Sequence, residues 1–317
     1  MEKVKVGIIG AGGRANFQAK SIRDSGKGEP LIVCSPVEEE AKKFAQNYQI
    51  EYTLDWKKVI ENPQIDAVTV SVPNIFHYEI VSAALKAGKH ALVEYPMTLS
   101  KKDAEEMIKI AQKKNLVLWV SLTERLENPH LTIKSQLSAI GKPLFAFASY
   151  IAAGLRGWYV DLSLRGDPFS AIQFHFIDQF RVLFGEVEEV NAAVNEKKNE
   201  EGKLIYTASN LMMTFKNGCN AFVEFGMGIP PGQDFKEKIV GTEGYFDFVG
   251  GKLTKGTKEK KEEITMLSSS LSEDTAQYLD AILSGKGDIS TAIEGKNSLL
   301  VALIAKESAE KGKRVKM

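Results

Sequence analysis

The chain has 317 residues, 44% of them hydrophobic and 26% charged, which is the make-up of a globular protein and excludes wholesale disorder. At roughly 100–200 residues per domain, that length suggests two domains. Lys+Arg and Asp+Glu each number 41, so no net field draws the chain to nucleic acid or to an anionic membrane. No apolar run approaches the ~20 residues that span a bilayer. The N-terminus lacks the apolar stretch of a signal peptide, and two cysteines, Cys34 and Cys219, make no disulfide framework. A cytoplasmic protein is the expectation.

In chain order, the first half alternates between two periods. Val4–Ile9 is a β-branched run ending at glycines and reads as a buried parallel strand. Strand-like runs follow at Leu31–Cys34, Tyr52–Thr53, Ala67–Val72, Ala91–Glu94 and Leu116–Val120. Helical patterns lie between them at Asn16–Asp24, Val37–Tyr48, Asp55–Glu61, Ile75–Ala87 and Leu99–Lys114, the last opening at Ser100. This alternation predicts βαβ units, a parallel sheet covered on both faces, and a domain over residues 1–122.

The second half, 123–317, reads differently. After a helix near Leu131–Leu137 come runs at Leu144–Ile151, Val187–Val194, Leu204–Phe215, Asn220–Phe225, Lys236–Gly241, Tyr245–Val249 and Ile264–Met266. Lys216-Asn217-Gly218 is a hairpin signal, and Lys255–Glu263 reads as a solvated loop or edge hairpin. A helix over Ala171–Phe184 interrupts the series, and helices at Ser272–Leu283 and Ile293–Glu310 close it. Consecutive strands predict a large, mostly antiparallel open sheet, which must bury a face against helices or another subunit. The fold class is α/β.

Gly10-Ala11-Gly12-Gly13-Arg14-Ala15 follows the first strand and opens the first helix. Gly10 permits the tight turn, Gly12 lets backbone approach a pyrophosphate, and Ala15 lets helix and strand pack closely. Glycines at such a turn need no ligand, but with a second βα unit behind them dinucleotide binding is the better reading. The second strand ends at Cys34-Ser35-Pro36, without the acid that usually holds an adenine ribose. Ser35 would not repel a 2′-phosphate and Arg14 could supply charge nearby, while Glu38, Glu39 and Glu40 argue the other way. NADP is slightly favoured and NAD stays open.

Further motifs come in a fixed order: Ile65-Asp66-Ala67-Val68, Val72-Pro73-Asn74 with His77, Ala83–His90, Glu94-Tyr95-Pro96, Ala305–Ala309 and Gly312–Val315. With the glycine turn, this order resembles the Gfo/Idh/MocA family of nicotinamide oxidoreductases over nearly the whole chain, most specifically in its first third. The resemblance implies a Rossmann domain, then a sheet domain that binds substrate and joins subunits into a homo-oligomer. It also places Pro73, Asn74, His77 and Glu94 at the cofactor, with substrate lying between the nicotinamide and the sheet domain.

Most of that family reads Glu-Lys-Pro where this chain reads Glu94-Tyr95-Pro96, and the string to Ser100 resembles the biliverdin reductase branch. A phenol, with an ordinary pKa of ~10, suits donation of a proton or hydrogen bond. The His175-x-x-Asp178 pattern resembles the sugar-dehydrogenase branch, but the Asp expected four residues before the histidine is Ala171. Glu124 alone is kept from the His/Glu-rich segment that biliverdin reductases carry after the last Rossmann strand, and the arginines expected near a bilin's propionates are missing.

The catalytic candidates are therefore Tyr95 and His175, each with a packing role as its alternative. Arg125, Arg156 or Arg165 could bind an anionic substrate, and Trp158 and Asp178 could contact it. Each arginine is more readily a surface or ion-pair residue. His77 orients a loop, and His90 and His130 read as structural. The four histidines show no ligand spacing, so no metal is expected. The reading is a two-domain NAD(P)-dependent reductase of a small molecule, bilin-like or sugar-like. A catalytically silent dinucleotide-binding sensor is the alternative.

Overall fold

A computed structural model describes residues 3–155, 157–230 and 232–317. The chain forms two compact units, one of residues 1–123 and 270–296, the other of 124–269 and 297–317.

In the first unit β1 (Val4–Ile9), α1 (Gly13–Asp24), β2 (Gly28–Cys34), α2 (Glu38–Tyr48) and β3 (Glu51–Thr53) come first. Then follow α3 (Trp56–Glu61), β4 (Ala67–Val70), a 3₁₀ turn (Asn74–Phe76), α4 (His77–Lys86), β5 (His90–Glu94), α5 (Lys101–Lys114) and β6 (Leu118–Ser121). The six strands are parallel in the order β3-β2-β1-β4-β5-β6. Strand order reverses between β1 and β4, the point where doubly wound sheets open a crevice at their carboxyl ends. Caps are local and readable. Asp55 accepts from the Lys57 N–H to start α3, and Ser100 accepts from the Asp103 N–H to start α5. The core joins Ile8, Ala15 and Ala19 to Leu92 and Trp119.

The second unit carries, after a 3₁₀ turn (Thr123–Leu126), α6 (Asn128–Gln136), β7 (Pro143–Ala152), α7 (Leu162–Arg165), α8 (Pro168–Ala171) and α9 (Phe174–Phe184). Then come β8 (Val187–Lys198), β9 (Leu204–Phe215), β10 (Asn220–Met227), β11 (Asp234–Gly241), β12 (Gly244–Val249), β13 (Lys252–Thr257) and β14 (Lys261–Glu263). The chain ends with α10 (Ser272–Leu283), α11 (Ser290–Lys311) and β15 (Val315–Lys316), α10 belonging to the first unit. Nine strands run in the order β14-β13-β12-β11-β7-β10-β9-β8-β15, antiparallel except for β7 beside β10. Ala146, Ala148, Ala221, Val223 and Phe225 point to the helix side, where they meet Ile177 and Phe180 of α9 and Val301 and Ala305 of α11. On the other face Phe222, exposed, stacks on Phe147 at 6.0 Å.

Two element predictions need correction. Ile264–Met266 is not a strand. Its neighbours are tied elsewhere, the Leu267 N–H donating to Thr132 and the Ser269 N–H to Asn128, both on α6. The edge hairpin is instead β13–β14. The helix expected over Ala171–Phe184 is two helices. Asp167 caps α8 through the Phe169 and Ser170 N–H groups with Pro168 at its first position, and the chain breaks at Ile172 before α9.

Candidate active site

The first unit presents a glycine cradle. Gly10 follows β1 with φ +113°, and a Cβ there would lie 2.2 Å from the Ser71 carbonyl oxygen. Its N–H donates to the Cys34 carbonyl at 2.8 Å, so the residue is clamped where β1 sits between β2 and β4. Ala11 leads to Gly12, the N-cap of α1, which has no capping side chain. A Cβ on Gly12 or Gly13 would meet nothing within 4 Å. Uncapped N–H groups facing open space at a helix N-terminus fit a pyrophosphate.

Around the cradle, the structure redirects three expected cofactor contacts. Arg14 does not flank Ser35. Its Nε lies 3.0 Å from Glu94 of β5 and its Nη2 2.7 Å from the Thr123 hydroxyl, on the far side of β1 from β2. Ser35 is buried, its hydroxyl 3.3 Å from a Glu40 carboxylate oxygen. His77 is fully buried and touches no open space. Its nitrogens lie 2.8 Å from the Pro96 carbonyl and 2.9 Å from the Val72 carbonyl, so it braces the loops carrying Pro73 and Tyr95. Burial holds its pKa below the usual histidine value, against the pull of those two carbonyls. Glu94 also accepts from Gln18 Nε2 at 2.5 Å, and Tyr95, half-buried, follows it at the carboxyl end of β5. Asn74 is buried at the start of its 3₁₀ turn.

The second unit encloses a cavity of about 390 Å³. One wall is aromatic, with Tyr150 stacked on Phe225 at 5.9 Å and Phe176 against Phe235 at 6.2 Å. The other is polar, with Glu124, Glu127, His130, His175 and Gln179. His175 and Gln179 are one turn apart on α9 and so share its cavity face. His175 Nδ1 lies 2.7 Å from Glu124 Oε1. The two atoms are close enough for an ion pair but are not aligned as a hydrogen bond, so the contact is electrostatic and favours a proton on that ring nitrogen. Ala171, in the place of the family's aspartate, lines the same cavity. Glu124, from the turn after β6, brings a carboxylate to this histidine from another element. His130, expected to be only structural, is in the wall as well. Among the described residues that line this cavity, none is Lys or Arg.

Several expected substrate contacts do not reach it. Arg125 and Asp178 hold one another in a two-pronged pair, Nε to Oδ2 at 2.6 Å and Nη2 to Oδ1 at 2.7 Å, and the buried carboxylate also accepts from Ser298. Neither lines the cavity. Trp158 stacks on Tyr159 at 4.1 Å, and Tyr159 is the one in the wall. Arg165 is fully buried beside Glu196 at 3.4 Å, and Arg156 lies outside the described residues. Removing one member of a buried, forked ion pair strands the other, at a cost of about 3–5 kcal/mol. Asp178→Ala is therefore expected to lower the thermal midpoint markedly, read by circular dichroism, whereas Trp158→Ala leaves it nearly unchanged.

A doubly wound unit with an uncapped glycine cradle, joined to a sheet unit whose cavity holds an oriented histidine, defines a nicotinamide-dinucleotide oxidoreductase. Residues 4–122 match the model described as "Oxidoreductase family, NAD-binding Rossmann fold", and residues 134–247 match the GFO/IDH/MocA C-terminal domain. The chain belongs to the Gfo/Idh/MocA family and is an NAD(P)-dependent oxidoreductase. It is 24% identical to the myo-inositol 2-dehydrogenase of Thermotoga maritima, over 99% of this chain and 98% of that one. It is likewise 24% identical to the NAD⁺-dependent scyllo-inositol 2-dehydrogenase of Bacillus subtilis, over 99% of this chain and 96% of the relative. A biliverdin reductase from Synechocystis sp., solved with biliverdin and NADP⁺, superposes with a TM-score of 0.91 and 27% identity, covering 97% of this chain and 99% of that one. The alternative of a silent sensor is set aside, because the relatives are oxidoreductases and dehydrogenases. No helix among the described residues is long and apolar enough to cross a membrane.

Proposed function

We propose that this enzyme reduces a neutral carbonyl compound of the sugar or polyol class. As hydride adds to the carbonyl carbon and the C=O π bond opens, His175 beside Glu124 delivers the one proton that the oxygen takes up, and Tyr95 donates a hydrogen bond to the same developing charge. The bound dinucleotide supplies the hydride. The observation that carries the reading is the cavity wall: an aromatic side suited to the C–H face of a ring, opposite a polar side of carboxylates, histidines and an amide, with no lysine or arginine among its described residues. A dicarboxylate would call for guanidinium forks there. A phenol is protonated at neutral pH, which favours reduction over oxidation.

A bilin is the second reading. Glu94-Tyr95-Pro96-Met97 and the 27% identity to the Synechocystis enzyme favour it. A panel of inositols, ketoses and anhydrosugars with both cofactors, run beside biliverdin with NADPH, separates the two. Turnover of biliverdin alone would overturn the first.

The proximity of Glu40 to Ser35 supports NAD over NADP, reversing the slight preference drawn from sequence. Unit charges about 4 Å apart repel by on the order of 1–4 kcal/mol at surface dielectrics. Glu40→Gln is expected to tighten NADPH binding roughly tenfold, equivalent to ~1.4 kcal/mol, and to leave NADH nearly unchanged in a fluorescence titration. Exposed Phe222, stacked on half-buried Phe147, supports association of two copies through the open sheet face. Sedimentation of Phe222→Glu against the parent tests it.

A further inference from the structure

The polar wall of the cavity includes His130, which the proposed chemistry does not use and which reaches a buried carboxylate behind it. His130 of α6 is buried with an oxygen facing each ring nitrogen. Nδ1 lies 2.8 Å from the backbone carbonyl of Glu124, and Nε2 lies 3.3 Å from Glu237 Oε2. Glu237, on β11, is 1% exposed, and its other oxygen accepts from Gln179 Nε2 at 2.5 Å. The Nε2 contact is not aimed in line, so it acts as an ion pair more than as a formed hydrogen bond. A buried carboxylate without a cation is costly, and no lysine or arginine lines this wall among the described residues. His130 is the cation that answers Glu237.

A neutral imidazole has one N–H, whereas His130 faces two acceptors. Serving both requires the imidazolium. Its Nδ1–H then pins the carbonyl of the residue whose own carboxylate meets His175 at 2.7 Å. We propose that His130 is a positioning residue: clamped between Glu237 and the Glu124 backbone, it fixes the turn that presents the Glu124 carboxylate to His175. This rests on reading His175 as the proton-exchanging group.

The ionisation of His130 agrees with that geometry. Burial works against the charged form, but Glu237 and the Glu124 carbonyl outweigh it and push the pKa up to about 9. The groups facing it are Glu124 on the turn, Glu127 at the N-cap of α6 at 4.0 Å, Glu237 on β11, and His175 beyond Glu124. Burial raises the Glu127 carboxyl, which weakens its claim on the cation. Because the folded-state pKa lies above the ordinary histidine value of ~6.5, the clamp is complete below that value and is lost as pH rises through about 9.

The test needs no substrate. Imidazole ¹⁵N resonances of the full chain report protonation and tautomer for each histidine, assigned through single replacements. We expect His130 to stay doubly protonated until the pH nears 9, and neutral His175 to hold its proton on Nδ1 against Glu124. His130→Asn keeps an amide near the Nδ1 position and should preserve the His175 state. His130→Gln places its amide toward Glu237, frees the turn, and should turn His175 into a tautomer mixture, as Glu124→Gln does. In Glu237→Gln the alkaline titration of His130 should move down toward the ordinary histidine range. An unchanged His175 spectrum in a folded His130→Gln overturns the proposal. If that variant does not fold, a His130 titration unmoved in Glu237→Gln overturns it. Absence of turnover across the substrate panel, with these spectral changes present, would instead defeat the catalytic reading and leave the clamp standing.

Discussion

Gly12→Val is expected to abolish dinucleotide binding while leaving the fold intact, and Gly10→Ala to fail at the fold itself. The two residues stand two positions apart in one turn, but their surroundings are opposite. At Gly12 an added side chain enters open space, so it meets no protein and occupies the volume in front of the α1 N–H groups. If those N–H groups receive the diphosphate, covering them removes the contact without straining the chain. At Gly10 a methyl would lie 2.2 Å from the Ser71 carbonyl oxygen at φ +113°. The left-handed backbone costs an L-residue roughly 1–2 kcal/mol, and forcing atoms into a packed site adds about 1–3 kcal/mol. At ~2–4 °C per kcal/mol the thermal midpoint should drop well outside error. Thermal unfolding and NADH fluorescence, measured on both variants, check the pair. A Gly12→Val protein with parental affinity would remove the pyrophosphate from this turn.

His175→Ala is expected to lower kcat by about 10²–10⁴-fold, the usual worth of a positioned general acid or base, with NADH affinity unchanged. Glu124→Gln should cost about ten- to a hundredfold, because an amide still fills the space but no longer stabilises the imidazolium formed during proton exchange. Tyr95→Phe tests the phenol, which His77 braces through the Pro96 carbonyl. It is expected to lower kcat by on the order of 10² if the hydroxyl meets developing charge. Ala171→Asp discriminates further: with Glu124 already at Nδ1, a second carboxylate beside it should gain little. The substrate identified by the panel is the one to use. Parental kcat in His175→Ala would end its assignment as the proton-exchanging group.

The Rossmann half was legible because its determinants are local. Strand and helix periods, the cap residues Asp55 and Ser100, and glycine spacing act within a few residues of the backbone they shape. The antiparallel character of the second sheet was legible for the same reason, through the Asn217-Gly218 turn that joins β9 to β10. Which side chains share a site was not. His175 and Asp178 are three apart on one helix, and the sequence offered them as a pair. Tertiary packing sends the first into the cavity and locks the second to Arg125, 53 residues away in the chain.

What the sequence determined by itself was the fold class, the glycine turn between β1 and α1 and the family, all written in short-range patterns. Only the tertiary structure decided that Glu124 meets His175, that Arg14 turns to Glu94 rather than Ser35, and that His130 answers a carboxylate on a distant strand. It also returned α10 to the first unit, where Tyr278 and Leu279 join the β1 core and Asp274 accepts from Trp119. The reason is physical. A charge or a donor finds its partner by what is nearest after burial, and residues far apart in the chain become nearest only once the sheets have closed over their cores.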